Sequence, residues 1–409
     1  MSSEKLGAAL YSVESAWGED STSFSTRMPV LAAVDVSGLE QAMISPDRVV
    51  QYRNDGTPGI MGPQSGGFST EFYLTGHGST TSGATALTSL YTLLGYVLGA
   101  SAVSAASGTT LTGGTAAVPT TTASGTFSAG SVVRVGAVAD ARGGGQFYPV
   151  ATHTTTTLTL LSALGGAPTN GDVLYSTEQA YTVEAPGTVD ITGLRWNLQT
   201  ARQQFTAHGC FAKSVSFSGL NAGEVPKVKI DWGVSWFAAR TATFPSATSV
   251  EVFTPKTVAQ GSFAMASVGT TTRTLRTIRS FSLDYSLGVV PLMGPNGVGT
   301  YQAIVGAKRT PDNISITIEE DAEAATTTPA LAALWEASAA GTALHATYTL
   351  SAVAGSAVGL RFNRLHAIGN RPTQHAADGL VRSKLQLQAM TSTTNTNDLT
   401  SAAFIVAGA

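Results

Sequence analysis

The stretch KVKIDWGVSW, Lys227 to Trp236, decides how this chain is read. Val228, Ile230, Trp232, Val234 and Trp236 fall on one side of an extended backbone. Lys229, Asp231, Gly233 and Ser235 fall on the other, which is the period of two of a half-buried β-strand. A weaker copy, VRSKLQLQAM at Val381 to Met390, alternates Leu385, Leu387 and Ala389 against Lys384, Gln386 and Gln388. A strand that occurs twice directs attention to whether its neighbours also occur twice.

They do, in order if not in identity. Upstream of the first copy lie FSTEFYLTG (Phe68 to Gly76), an alternating strand, and LTSLYTLLGYVL (Leu87 to Leu98), whose Leu87, Leu90, Tyr91 and Leu94 have helical spacing. VEAPGTVDITGLRW (Val183 to Trp196) and KSVSFSGL follow, then the turn LNAGEVPK. Upstream of the second copy lie NISITIEED (Asn313 to Asp321), the helix PALAALWEASAA (Pro329 to Ala340) with Pro in its first turn, and the strands LHATYTLSAV and LRFNRL. The order strand, helix, strand, turn, strand is therefore predicted twice. Each half also opens with a strand and a Gly/Pro-rich loop: PVLAAVDV (Pro29 to Val36) and Ser45 to Gly67 in the first, RSFSLDYSLGVVPLMG (Arg279 to Gly294) and GPNGVGTY in the second.

Between the halves of the first unit the texture changes. Gly99 to Thr126 is a Ser/Thr/Gly/Ala tract too poor in apolar residues to pack alone, and reads as a linker or extended loop. Phe127 to Tyr181 then holds four short strands, SVVRVGAV, FYPVATH, TLTLLSAL and DVLYS, separated by turn signals about ten residues apart, as in a small barrel or meander. The predicted fold is mainly β: two β-sandwich domains, each with one flanking α-helix, plus a small inserted all-β barrel-like domain. The first sandwich takes 1–98 and 183–245, the linker and insert 99–182, and the second sandwich 246–409. Excising Gly99 to Tyr181 is expected to spare the rest.

The bulk composition narrows the function. Of 409 residues, 12% are charged and 43% apolar, with 44 glycines, which describes a polar but uncharged surface suited to contact with other protein. A formal charge of -3 supplies no field for gripping phosphates. Cys210, the single cysteine, sits in the apolar context HGCFAKSVSF and reads as a small buried hydrophobe. The first seventeen residues have no continuous apolar core, so no signal peptide is expected. Ala86 to Gly108 is uncharged, but its strong apolar residues stop at Leu98, which favours a buried helix over a membrane span of about twenty residues.

Catalytic constellations are lacking. His77, His153, His208, His345, His366 and His375 are scattered, none at i, i+3 or i+4 from another His or Cys. Neither G-x-S-x-G nor the phosphate loop G-x-x-x-x-G-K-[ST] occurs. GPNGVG (Gly294 to Gly299) has dinucleotide-like glycines but no βαβ unit, and reads as a turn. EEDAE (Glu319 to Glu323) has carboxylates that suit a calcium ion, or forms a polar strand end. NIS at Asn313 reads as a strand start, and ARGGGQF at Ala141 as a hairpin tip. No enzyme activity, cofactor or metal is expected.

With these elements in place, the chain resembles the tail tube proteins of long-tailed bacteriophages. The features that carry the resemblance are the N-terminal arm KLGAALYSVESAWGED, the long Gly/Pro loop Ser45 to Gly67, the helix, the late pair KSVSFSGLNAGEVPKVKIDWGVSW, and DGLVRSKLQLQAM followed by LTSAAFIVAGA. The resemblance implies sandwiches whose inner sheets join those of their neighbours around a lumen. It also implies a virion tail location, assembly in the host cytoplasm, and stacked homo-oligomeric rings that pass DNA without specific binding. Two tube-like domains per chain imply three chains in a pseudo-hexameric ring, with the insert projecting outward. Tape-measure, tail terminator and baseplate proteins are the implied partners, and no membrane is.

Two residue sets follow. Ring stacking is assigned to the arm and to Pro46, Arg48, Tyr52, Arg53, Asp55 and Met61 of the long loop. The inner-sheet face is assigned to Lys229, Asp231, Ser235, Arg382, Lys384 and Gln386. Alternatives are another phage component, such as a fibre or capsid decoration protein, and a carbohydrate-binding β module. The last would need exposed aromatics, whereas Trp17, Trp196, Trp232, Trp236 and Trp335 fall mostly on core-facing positions.

Overall fold

A computed structural model of the chain describes residues 8–18, 24, 26–29, 31, 40–44, 60–77, 84, 86–104, 109–122, 127–136, 145–183, 189–199, 204–238, 256–258, 262–271, 274–294, 304–321, 330–351, 353, 355–372, 374–377, 380–391 and 399–409. The first part contains β1 (Ala8–Val13), β2 (Thr26–Pro29), β3 (Glu40–Ile44), β4 (Ile60–Ser65), β5 (Gly67–Tyr73), α1 (Ser89–Leu98) and β6 (Gly99–Val103). Then come β7 (Thr109–Gly114), β8 (Pro119–Thr121), β9 (Val132–Gly136), β10 (Phe147–His153), β11 (Leu158–Leu160) and β12 (Val173–Tyr175). The first part resumes with β13 (Glu178–Thr182), β14 (Val189–Asp190), β15 (Leu194–Gln199), β16 (Gln204–Ser218), β17 (Lys227–Gly233) and β18 (Trp236–Ala238).

The second part runs through β19 (Ser262–Ser267), β20 (Thr274–Arg276), β21 (Ser280–Ser286), β22 (Val289–Met293), β23 (Ile304–Arg309) and β24 (Asn313–Asp321) to α2 (Leu331–Ala339). It closes with β25 (Leu344–Ser351), β26 (Val358–Ile368), β27 (Gln374–Ala377), β28 (Leu380–Ala389) and β29 (Phe404–Gly408). The protein is mainly β.

Sheet order supports the internal repeat more strongly than the sequence does. The first sheet runs β2-β1-β15-β16-β17-β5, and the second runs β20-β19-β25-β26-β28-β24 with β21 added at its end, all neighbours antiparallel. Counterparts also occur in the same chain order. In both copies one long strand serves two layers. Residues 204–210 of β16 pair with β15 and 211–218 with β17, across a bulge at Ala212/Ser214. In β26, 358–365 pair with β25 and 365–368 with β28. A strand that bends across a bulge to change layers is how sandwich corners are built. The chain then returns to the outer part of that strand, as β18 on β16 and as β29 on β26.

The apolar faces of the layers meet in one core common to both copies. In the first, Trp196 of β15 lies 5.1 Å from Trp232 of β17, with Phe68 of β5 against both rings. In the second, Phe281, Tyr348, Phe362 and Phe404 form the equivalent aromatic cluster. Arg309 of β23 donates to the carbonyl of Val97 at 2.8 Å, placing a cation on the C-terminal end of α1, and pairs with Asp312 at 2.7 Å. The second copy thereby holds the helix of the first.

Three expectations need correction. First, Gly99 to Thr126 is not simply a linker: β6, β7 and β8 lie in it. Its threonines are β-branched and suit a pleated surface, and Leu111 is fully buried in the insert's core. Second, the six-stranded insert, β11-β10-β9-β12-β7-β8, spans only 109–175. Its flanks β6 and β13 pair with each other, and β13 pairs with the C-terminal strand β29, which itself pairs with β26 of the second copy. Third, the N-terminal arm is, over residues 8–13, a strand of the first sheet: β1 sits between β2 and β15.

These corrections change the excision experiment. Removing Gly99 to Tyr181 deletes β6 and nearly all of β13, along with Glu178, whose carboxylate accepts from Thr88 N at 2.6 Å at the start of α1. That chain is expected not to fold. Removing 109–175 keeps both strands and is expected to yield a folded, less stable protein, because Val132 and Phe147 no longer cover Ile405 and Ala407. Circular dichroism and a denaturant midpoint for each chain check this.

Candidate functional site: a polar face shared by the two copies

In the layer formed by β16, β17 and β5, alternate side chains point away from the core, as do those of β21, β24 and β28. The two sets lie side by side. Phe217 of β16 packs on Tyr285 of β21 at 6.2 Å, and four residues further along, the Asn221 carboxamide oxygen accepts from the Phe281 N–H at 2.9 Å. These contacts run as they would between antiparallel neighbours, yet no ladder joins the strands. Tyr348 adds a bond from its hydroxyl to the carbonyl of Leu220 at 2.7 Å.

The outward residues are mostly hydroxyl and amide groups: Ser216 and Ser218, Ser282, Thr317, Gln386 and Gln388. Charges of both signs are interspersed on this face. Glu71 is opposite Lys229 in the β5–β17 ladder, and Glu319 is opposite Lys384 in the β24–β28 ladder. The two glutamates are equivalent in a second way, since Leu31 N donates to Glu71 O at 2.9 Å and Arg279 N to Glu319 O at 2.7 Å. Lys227 reaches Glu71 at 3.5 Å, Lys229 reaches Asp231 at 3.5 Å, and Ser214 donates to Asp231 at 2.6 Å. Salt-screened surface pairs of this kind contribute little to stability, but among the described residues they leave no block of uncompensated cations for a phosphate backbone.

Of the inner-face residues expected from sequence, Lys229, Asp231, Lys384 and Gln386 are on this polar face, Asp231 half-buried and the others exposed. Ser235 is not. The strand ends at Gly233 and the alternation ends with it. Ser235 is fully buried, accepting from Trp17 Nε1 at 2.8 Å and donating to the Gly209 carbonyl at 3.1 Å. Arg382 starts the outward series but is 7% exposed, held by Asp321 at 3.3 Å and Glu319 at 3.9 Å. The Glu71–Lys229 and Glu319–Lys384 pairs were not singled out, because they become visible only once the register is known.

Pro46, Arg48, Tyr52, Arg53 and Asp55 lie outside the described residues. Met61 is in β4, opposite Met43 of β3, so the segment Ser45 to Gly67 is not loop throughout: residues 60–65 form one arm of a hairpin with β3. β22 and β23 form the corresponding hairpin before β24, and Met293 and Val290 on it are exposed at 71% and 49%. PVLAAVDV is described only at Pro29 and Leu31. GPNGVG falls outside the described residues from Pro295 on.

His153 lies in the insert, where its Nδ1 accepts from Phe127 N at 2.9 Å. His208 is stacked on Trp236, and burial and Glu14 push the Cys210 thiol well up. Among the described residues no three His, Cys, Asp or Glu side chains form a metal-sized group, and no helix is long and apolar enough to cross a membrane. No protein-family model matches the chain, and no curated protein matches it in sequence.

Proposed function

We propose that the chain is a structural subunit that associates with copies of itself into stacked rings around a channel, as the tube of a phage tail. The observation that carries this reading is the lateral contact between the two copies within one chain. A surface of the first, at β16, meets a different surface of the second, at β21. Such a contact is heterologous, and heterologous contacts propagate into rings or filaments. In this reading an equivalent contact forms between chains and extends the series.

The shared polar face then lines the channel. Its hydroxyls, amides and interspersed charges of both signs suit passage of DNA without retention. Three chains, six sheets, make the ring; the insert lies outside it. Tape-measure, terminator and baseplate proteins are the partners this role requires, the virion tail is its location, and no catalytic chemistry takes part. A carbohydrate-binding module is less well supported, because Trp196 and Trp232 are in the core and the indole N–H groups of Trp17 and Trp236 are bonded internally. Negative-stain electron microscopy of the purified protein over a concentration series tests the proposal.

A further inference from the structure

The turn that leads into β12 of the insert carries the pair Asn170–Gly171, and both residues are exposed. The turn is closed on itself: Asp172 N donates to Thr169 O at 3.2 Å, and Thr169 N to the Asp172 carboxylate at 2.9 Å. It is also tied to β7, since Gly171 N donates to Leu111 O at 3.1 Å and Leu111 N to Asp172 O at 2.6 Å. These bonds continue the β12–β7 ladder, in which Val173 is opposite Thr110.

Gly171 has φ +103°, a conformation that residues with a side chain rarely adopt, although a Cβ there would meet nothing within 4 Å. The backbone, not crowding, therefore requires glycine at 171. Glycine is also the residue that least shields its own nitrogen from the side chain before it. The turn thus demands the neighbour that opens the Asn170 carboxamide to attack. Among the described residues, no other asparagine precedes a glycine. Asn221, in the turn after β16, is followed by Ala222 and has its carboxamide held at both ends. Its Nδ2 donates to Glu224 at 3.4 Å, and its Oδ1 accepts from Phe281 N at 2.9 Å.

We propose that Asn170 is a self-modification site, converted in the folded protein to aspartate and isoaspartate. The Gly171 nitrogen, its proton taken by hydroxide, bonds to Asn170 Cγ; the Cγ–Nδ2 bond breaks and ammonia leaves. Water then opens the five-membered imide at either carbonyl. No oxidant, cofactor or catalytic side chain enters. Attack requires the bond from Gly171 N to Leu111 O to open first, so local opening of this ladder end sets the rate. Either product adds one negative charge to the insert. Isoaspartate also lengthens the main chain by one carbon, which displaces Gly171 N from Leu111 O. This chemistry does not require that the chain form tubes.

The test is peptide mass spectrometry of the full chain aged at pH 8, folded and in urea, with fragmentation that separates aspartate from isoaspartate at position 170. Both products are expected in the folded chain, forming about tenfold more slowly than in urea because opening must precede attack, while Asn221 of the folded chain stays intact. The proposal is overturned if the folded chain is unchanged at Asn170 when the urea sample has been converted. Equal rates in the folded chain and in urea overturn the gating by the Leu111 bond.

Discussion

Replacing Glu320 with alanine is expected to lower the stability of the protein by about 3–5 kcal/mol, the cost of breaking a buried ion pair from one side. Glu320 is 3% and Arg276 5% exposed. The carboxylate accepts from Nε at 2.5 Å and from Nη2 at 3.0 Å, a bidentate arrangement. The residues are on β24 and β20, so the pair joins the two layers of the second copy. With the carboxylate gone, the guanidinium keeps its desolvation cost and loses its neutralising charge. The double replacement Arg276→Met with Glu320→Leu removes both charges and is expected to recover most of the loss, since well-packed apolar substitutes often match a buried pair. Denaturant midpoints of the three proteins decide it; a Glu320→Ala midpoint equal to that of the parent contradicts the role given to the pair.

Replacing Trp232 with alanine is expected to cost a similar amount, about 3–5 kcal/mol, through lost burial and an unfilled cavity. The side chain is 2% exposed and contacts Trp196 and Phe68, and its indole N–H donates to Thr70 Oγ1 at 2.8 Å. Trp232→Phe keeps much of the apolar volume but not the hydrogen bond, and is expected to cost less than alanine while leaving the Thr70 hydroxyl without this donor, a penalty of about 1–3 kcal/mol. Thermal or denaturant unfolding orders the series. Equal stability of the alanine variant and the parent contradicts a common core at this point.

These residues also mark the limits of sequence reading. Trp232 was legible, because strict alternation around it leaves one consistent choice of buried side. So was the duplication, since element order survives where identity does not. Glu320 was not: EEDAE reads as a polar strand end, yet its middle glutamate has the parity of Ile316 and Ile318 and turns inward to an arginine 44 residues earlier. β6 and β13 read as insert because the pairing of β13 with β29, which ties both to the second copy, joins segments more than 200 residues apart, and no local pattern encodes that. Ser235 failed for a simpler reason: extrapolated alternation lasts only as long as the strand, and β17 stops at Gly233.

On the polar face, residue type was readable and pairing was not. Alternation marks Lys229 and Lys384 as outward-facing, but their opposite numbers Glu71 and Glu319 are 158 and 65 residues away by number, and only register brings each pair together. The recurrence of a glutamate opposite a lysine in both copies ties the repeat to the face rather than to the core.

The central claim is that the lateral contact between β16 and β21 within a chain is repeated between chains. Negative-stain electron microscopy of the purified protein over a concentration series, with end-on averages, tests it most directly. The predicted result is rings or hollow tubes whose end-on views contain six similar sheet-sized units in a three-fold array. Particles the size of a single 41.8 kDa chain at every concentration, or filaments without a lumen, would contradict it.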